Sequence, residues 1–277
     1  MIQQSLPFSG GRPSGAPEVE YPRVNEHTLP PPGENPKDLG AYYTDSQVAD
    51  FLVWWAVRHA SNTVLDPSFG GGVFLRSTCK RLRELGGDAA TQVYGIELDP
   101  GVHSRIAEKL HDEFGAVKTN LVHSDFFEVV PARLNLVDVV VGNPPFIRYQ
   151  RFTGEARWRA LQRAAEQGLN LSELSSSWLP FLVHSLGFLR HGGRLAMVIP
   201  FEIGHAAYAL PILGHLSRTF GRIHFLTFRK KLFPDLSEDT LLLLAEGKAH
   251  QPPVSFPCAT SITPVSWPPS RHWDGGR

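Results

Sequence analysis

Val64-Leu65-Asp66-Pro67-Ser68-Phe69-Gly70-Gly71-Gly72-Val73-Phe74-Leu75 reads as a buried strand, a glycine-rich turn and the start of a helix. Glycine permits positive φ and close backbone approach, so a ligand can rest against such a loop and the helix N-terminus behind it. The glycines do not follow G-x-G-x-x-G, and an acid, Asp66, opens the loop where a pyrophosphate would be repelled. An acid in that place suits a ligand carrying an ammonium group.

Working outward, short β-rich apolar runs alternate with helical patterns. The strands are expected at Thr63–Asp66, Gln92–Leu98, Ala116–His123, Leu136–Gly142, Arg194–Pro200, Ile223–Phe228 and Thr240–Ala245. Helices are expected at Ser46–His59, Val73–Leu85, Gly101–Phe114, Trp178–Leu189 and Ala206–Thr219. This alternation predicts an α/β, Rossmann-like fold: a seven-stranded, mostly parallel sheet covered on both faces. Only about ten residues join the last two strands, too few for a parallel crossover, so an antiparallel hairpin is expected at one sheet edge. A polar, arginine-bearing insertion at 149–177, helical from Gly154 to Gln167, interrupts the alternation.

The chain has 277 residues and no net charge. Residues 1–38 and 249–277 are rich in proline and lack apolar periodicity, so they read as a flexible arm and tail around a domain at 39–248. Cys79 and Cys258 form no CxxC pair, and the twelve histidines form no ligand pair, so a disulfide framework and a metal are not expected. No stretch has the roughly 18 apolar residues of a membrane helix and none reads as a signal peptide, which fits a cytoplasmic protein.

Two further acids follow strands. Glu97 closes the second, where a carboxylate can accept ribose hydroxyls. Asp125 follows the third, placed to accept an adenine amino hydrogen, and Phe126 beside it could pack on the ring. With Asp66 these acids suit S-adenosylmethionine better than NAD. The fourth strand runs into Asn143-Pro144-Pro145-Phe146. That tetrad offers a side-chain carbonyl, a backbone carbonyl and an aromatic face, a set suited to a flat amine such as the exocyclic nitrogen of adenine. Arg148, Arg151, Lys230 and Lys231 are candidate DNA-backbone contacts. Trp54-Trp55 are expected to pack beside the segment that covers the cofactor.

With these residues together, the chain resembles the N6-adenine DNA methyltransferases of the γ arrangement, the TaqI type. The resemblance runs from Gly40-Ala41-Tyr42-Tyr43-Thr44 through Asp66–Leu75, Glu97, Asp125, Asn143–Phe146 and Gly192–Pro200 to Phe233-Pro234. It implies a class I S-adenosylmethionine-dependent methyltransferase fold. It implies that Thr44 and Asp66 hold the methionine end of the cofactor, Glu97 the ribose, Asp125 and Phe126 the adenine, with Phe181 near its edge. Tyr43, Pro67, Gly70, Gly72 and Leu98 complete the implied cofactor set. The resemblance further implies that Asn143, Pro144, Pro145 and Phe146 form the catalytic loop and that Phe146 and Phe233 stack on a flipped target base. The chain departs from the family in having Asp45 where proline is frequent and Phe146 where tyrosine is commoner. TaqI-type enzymes continue into a target-recognition domain, whereas this chain ends in a proline-rich tail, so a separate recognition or nuclease subunit is expected. Methylation of a protein glutamine, of RNA adenine, and a truncated non-catalytic cofactor-binding subunit are the alternatives.

Overall fold

The computed structural model describes residues 44–116, 118–148, 150–172, 174–204, 207–227 and 239–249. The expected arm, residues 250–277 of the expected tail, Tyr43, Lys230, Lys231 and Phe233 lie outside the described residues.

Seven strands form one sheet: β1 (Val64–Asp66), β2 (Val93–Glu97), β3 (Leu121–His123), β4 (Val137–Gly142), β5 (Leu189–Pro200), β6 (Phe220–Leu226) and β7 (Thr240–Lys248). Their order is β3-β2-β1-β4-β5-β7-β6. Neighbours from β3 to β5 are parallel, and β7 is antiparallel to both β5 and β6. The expected edge hairpin is therefore present, with β7 inside it and β6 at the edge. The helices are α1 (Ser46–Ala56), α2 (Val73–Leu85), α3 (Ala89–Gln92), α4 (Pro100–Phe114), α5 (Gly154–Glu166), α6 (Trp178–Leu186) and α7 (Leu210–Thr219).

Strand periodicity sends alternate side chains to opposite faces. Val139 and Val141 of β4 join one buried core with Leu52 of α1, Leu75 of α2 and Ile106 of α4. Val140 joins the other, with Leu182 of α6 and Ile212 of α7. Four of the five residues from Val137 to Val141, all but Asp138, are buried valines because both faces are covered.

Boundaries differ from expectation where turn chemistry intervenes. β3 begins at Leu121 rather than Ala116, because Gly115 ends α4 in a left-handed cap and Lys118–Asn120 make a 3-10 turn. α7 starts at Leu210, after a separate 3-10 turn at Ala207–Ala209. α6 stops at Leu186 and β5 reaches back to Leu189, with the β4–β5 register shifting between Val137 and Val139. Gly193 makes this shift possible, since a Cβ there would lie 2.9 Å from the Arg190 carbonyl and 3.0 Å from that of Asp138. Lys248, from the far end of β7, caps the α6–β5 junction by donating to the carbonyls of Leu186 and Leu189, both at 2.6 Å. Burial pulls its ammonium down to about 8.

Among the described residues no helix is long and apolar enough to cross a membrane, and no cluster of three or more His, Cys, Asp or Glu could hold a metal.

Candidate active site

The chain turns from β1 toward β2 and β3 on one side and resumes with β4 on the other, so β1/β4 is the switch point of the sheet. In open α/β sheets the crevice outside the carboxyl ends of strands at such a point receives ligands. Here the loops leaving β1 and β4 enclose a cleft of about 130 Å³ lined by Thr44, Ser68, Phe69, Gly70, Gly71, Val73, Phe74 and Asn143.

Asp66 ends β1 fully buried. Its Oδ1 accepts the Ser68 N–H at 3.2 Å, and its Oδ2 is buried without a hydrogen-bond partner. Burial pushes this carboxyl up to about 8; the nearby Glu97 charge adds to the rise and the Ser68 bond opposes it. Gly142 leaves space beside the carboxylate, since a Cβ there would sit 3.1 Å from Asp66 Oδ1, a tight contact. Gly72, at φ 76°, lets the loop turn into α2, and a Cβ on it would strike Ile106 Cγ2 at 2.6 Å.

Glu97, at the end of β2, accepts the N–H of Gly70 through Oε2 at 2.8 Å and that of Asp99 through Oε1 at 2.9 Å. A carboxylate has about four lone-pair sites, so each oxygen keeps one for a further donor. The acid expected on a ribose thus also braces the glycine loop from behind. Leu98 beside it is 63% exposed. Asp125 accepts the Phe127 N–H through Oδ1 at 2.9 Å, and its Oδ2 faces Arg159 of α5 at 3.7 Å. Arg159 also reaches Glu128 and Glu155, which ties the insertion to the loop after β3. Phe126 and Phe181 are buried together, ring centroids 4.5 Å apart, with His184 and Phe188 against Phe126. They form the floor under Asp125 and are not part of the lining of the cleft.

Asn143 follows β4. Its amide nitrogen donates to Thr44 Oγ1 at 3.2 Å, while its side-chain oxygen is buried without a partner. The Asn143 main-chain carbonyl accepts from Ser68 Oγ at 3.4 Å. Pro144 is buried, and Phe146 is half-buried and touches both cores. Phe152, anchored in the core, closes a turn in which the N–H groups of Arg151 and Phe152 both reach the Arg148 carbonyl. Arg148 and Arg151 are consequently held at the surface beside the loop.

Of the residues expected at the site, Thr44, Gly70 and Asn143 line the cleft, Asp66 accepts from Ser68 of its lining and Glu97 from Gly70. Trp54 does not pack as expected: it is 50% exposed, and Trp55 instead carries the Arg58 guanidinium 5.2 Å from its ring. Both lie in the last turn of α1, where Trp55 also packs against the core, and neither lines the cleft. Ser68, Arg159 and Ser177 make site contacts that motif reading missed. The serine run Ser175-Ser176-Ser177 before Trp178 was the available signal for the last of these.

The sheet order, the switch-point cleft and the carboxylates around it define the class I S-adenosylmethionine-dependent methyltransferase fold. The N-6 DNA methylase family matches residues 31–203, more than half of the chain, and the protein belongs to that family. The chain is 23% identical over 236 residues to the type II methyltransferase M.AccI of Acinetobacter calcoaceticus, covering 84% of this chain and 41% of that protein. It therefore spans about two fifths of that relative's length. The tRNA1(Val) (adenine(37)-N6)-methyltransferase of Pasteurella multocida is 24% identical over 150 residues, 54% of this chain and 57% of that protein. Among solved structures, the DrdV–DNA complex superposes with a TM-score of 0.64 at 15% identity, over 78% of this chain and 28% of that one. A Listeria monocytogenes protein described as a class I S-adenosylmethionine-dependent methyltransferase superposes at 0.57, with 18% identity over 76% and 62%.

Proposed function

We propose that the protein transfers a methyl group from S-adenosylmethionine to the N6 amino group of an adenine in DNA. One observation carries the reading: Asn143 has its amide nitrogen occupied by Thr44 and its oxygen buried, unpartnered, at the mouth of the switch-point cleft. A buried acceptor without a donor is costly, on the order of 1–3 kcal/mol, so such a group is explained by a donor that arrives with a ligand. An amine supplies that donor.

The residues fit the cofactor. The orphaned Asp66 Oδ2 suits an ammonium, the free lone pairs of Glu97 suit a diol, and the glycine loop leaves room at the N-terminus of α2. When bound, the cofactor supplies a methyl group on a positively charged sulfur. The chain supplies the rest. An adenine stacked in a duplex cannot present its amine, so the base must be turned out, and Phe146 offers a face on which it can stack, worth roughly 1–3 kcal/mol. The amine lone pair is delocalised into the ring. Asn143 Oδ1 and the Pro144 carbonyl, each accepting one N–H, pull the nitrogen toward a tetrahedral shape and free that lone pair. Positioning and charge stabilisation are then the main contributions.

Family membership and the similarity to M.AccI support DNA as the substrate, and the similarity to a tRNA adenine methyltransferase keeps RNA adenine as the second reading. The zero net charge supports a further element. A protein that grips a duplex unaided usually needs many phosphate contacts. We therefore assign choice of DNA sequence to something beyond the described residues, either other parts of the polypeptide or a partner subunit with recognition or nuclease function. Incubation with labelled cofactor and either DNA or RNA, followed by nucleoside analysis, tests the reading. N6-methyladenine from DNA is expected; label only in RNA, or only in protein, overturns it.

A further inference from the structure

We propose that Ser177 is a positioning residue that holds the Asn143–Phe146 loop in its working geometry, an inference that rests on the methyl-transfer reading above. Three hydrogen bonds join this one residue to both sides of Phe146. Ser177 Oγ donates to the Pro145 carbonyl at 2.5 Å, Ile147 N–H donates to Ser177 Oγ at 2.8 Å, and Ser177 N–H donates to the Ile147 carbonyl at 2.9 Å. The residue is 2% exposed, so water does not compete for these bonds.

The loop needs outside support because Pro144 and Pro145 have no N–H groups to tie it down. Ser68 holds the Asn143 carbonyl at the near end, and Ser177 holds the peptide groups at the far end. Between them lie the Pro144 carbonyl, one of the two proposed amine acceptors, and the Phe146 ring. A shift of either misplaces the acceptor or the stacking face, and a misplacement of about 1 Å can cost on the order of a hundredfold in rate.

The hydroxyl has been diverted from its ordinary task. Ser177 sits at the N-cap of α6, where a serine side chain normally accepts a hydrogen bond from the first turn of the helix. Here the side chain makes no capping bond; its donor and its acceptor capacity both go to the loop. Its backbone is anchored by the next residue, Trp178, which is fully buried and donates from Nε1 to Glu202 Oε1 at 2.7 Å. The clamp thus transfers the rigidity of the α6 core to the catalytic loop.

The test compares the full chain with S177A, S177T and a control, S185A. Ser185 is another buried hydroxyl on α6, bonded to the Phe181 carbonyl at 2.8 Å, with no bond to the loop. Three quantities are read: cofactor Kd, single-turnover methylation of DNA at saturating cofactor, and amide hydrogen exchange at Ile147. In S177A the methylation rate should fall about 10- to 100-fold and Ile147 should exchange at least about tenfold faster, with Kd within about twofold of wild type. S177T retains the hydroxyl and should recover rate and protection to within about threefold. S185A should keep the wild-type rate even if its melting temperature drops. Faster exchange at Ile147 with an unchanged rate would overturn the proposal, as would rates that merely track the folded fraction in all three variants. A wild type that forms no N6-methyladenine would overturn the function itself, whereas the Ile147 exchange reports on the clamp independently of activity.

Discussion

Asp66 makes the binding of an ammonium-bearing cofactor depend on pH in a calculable way. Its carboxyl is raised from 3.8 to about 8, chiefly by burial. A protonated carboxyl cannot pair with an ammonium, so binding must first expel the proton. With the value at about 8, the carboxylate fraction is roughly 1% at pH 6 and 9% at pH 7, so apparent affinity should weaken about a hundredfold at pH 6 relative to the plateau above pH 8. The stability of the free protein has the opposite dependence. A folded value above the unfolded one means the folded state binds the extra proton, so this contribution is complete below about pH 4 and is lost as pH rises through about 8. Calorimetry from pH 6 to 9, in buffers of different ionisation enthalpy, should read release of close to one proton at pH 6.5. D66N is the control, since it removes the slope belonging to Asp66 and leaves any titration of the cofactor itself. An affinity that is flat between pH 6 and 8 in wild type, or a slope that D66N retains, would refute the reasoning.

Asn143→Ala removes the unpartnered acceptor while leaving the lower cleft intact, so methylation should fall by about 10²- to 10³-fold in single-turnover assays with cofactor Kd nearly unchanged. Glu97→Ala removes the proposed ribose acceptor and strands the N–H groups of Gly70 and Asp99; calorimetry should show at least about tenfold weaker cofactor binding, and denaturant melts a loss of about 1–3 kcal/mol. Gly72→Ala combines a positive φ of 76° with a 2.6 Å approach to Ile106 Cγ2, and thermal denaturation should report a cost of about 1–3 kcal/mol together with weakened cofactor binding. In gel shifts at two salt concentrations, the chain by itself should bind duplex DNA weakly and with little sequence preference, and tight selective binding would place recognition within it.

The order of strands and helices was legible because hydrophobic periodicity is a local property: the buried Val137–Val141 run and the apolar faces of α2 and α4 report their own burial. The glycine loop and the Asn-Pro-Pro-Phe tetrad were legible for a similar reason, since glycine, proline and strand-end acids mark backbone geometry wherever they stand. Boundaries were harder where a distant group decided them. The end of α6 depends on Lys248, 62 residues further along, and the bulge in β5 depends on the carbonyl of Asp138 across the sheet.

What the sequence by itself determined was the class of fold, and it singled out Thr44, Gly70 and Asn143 of the residues that line the cleft. Only the tertiary structure decided how those residues are held. Asp66 could be read as an acid beside a glycine loop, but its raised carboxyl comes from full burial, which only the fold supplies. Asn143 could be read as an amine acceptor, but that its nitrogen is spent on Thr44 while its oxygen stays unpaired follows from residues 99 positions apart. Ser177 stands at the start of α6, yet its hydroxyl makes no capping bond and bonds instead to the peptide groups of Pro145 and Ile147. Hydrogen bonds and desolvation depend on what surrounds a group in space, and no local pattern along the chain carries that information.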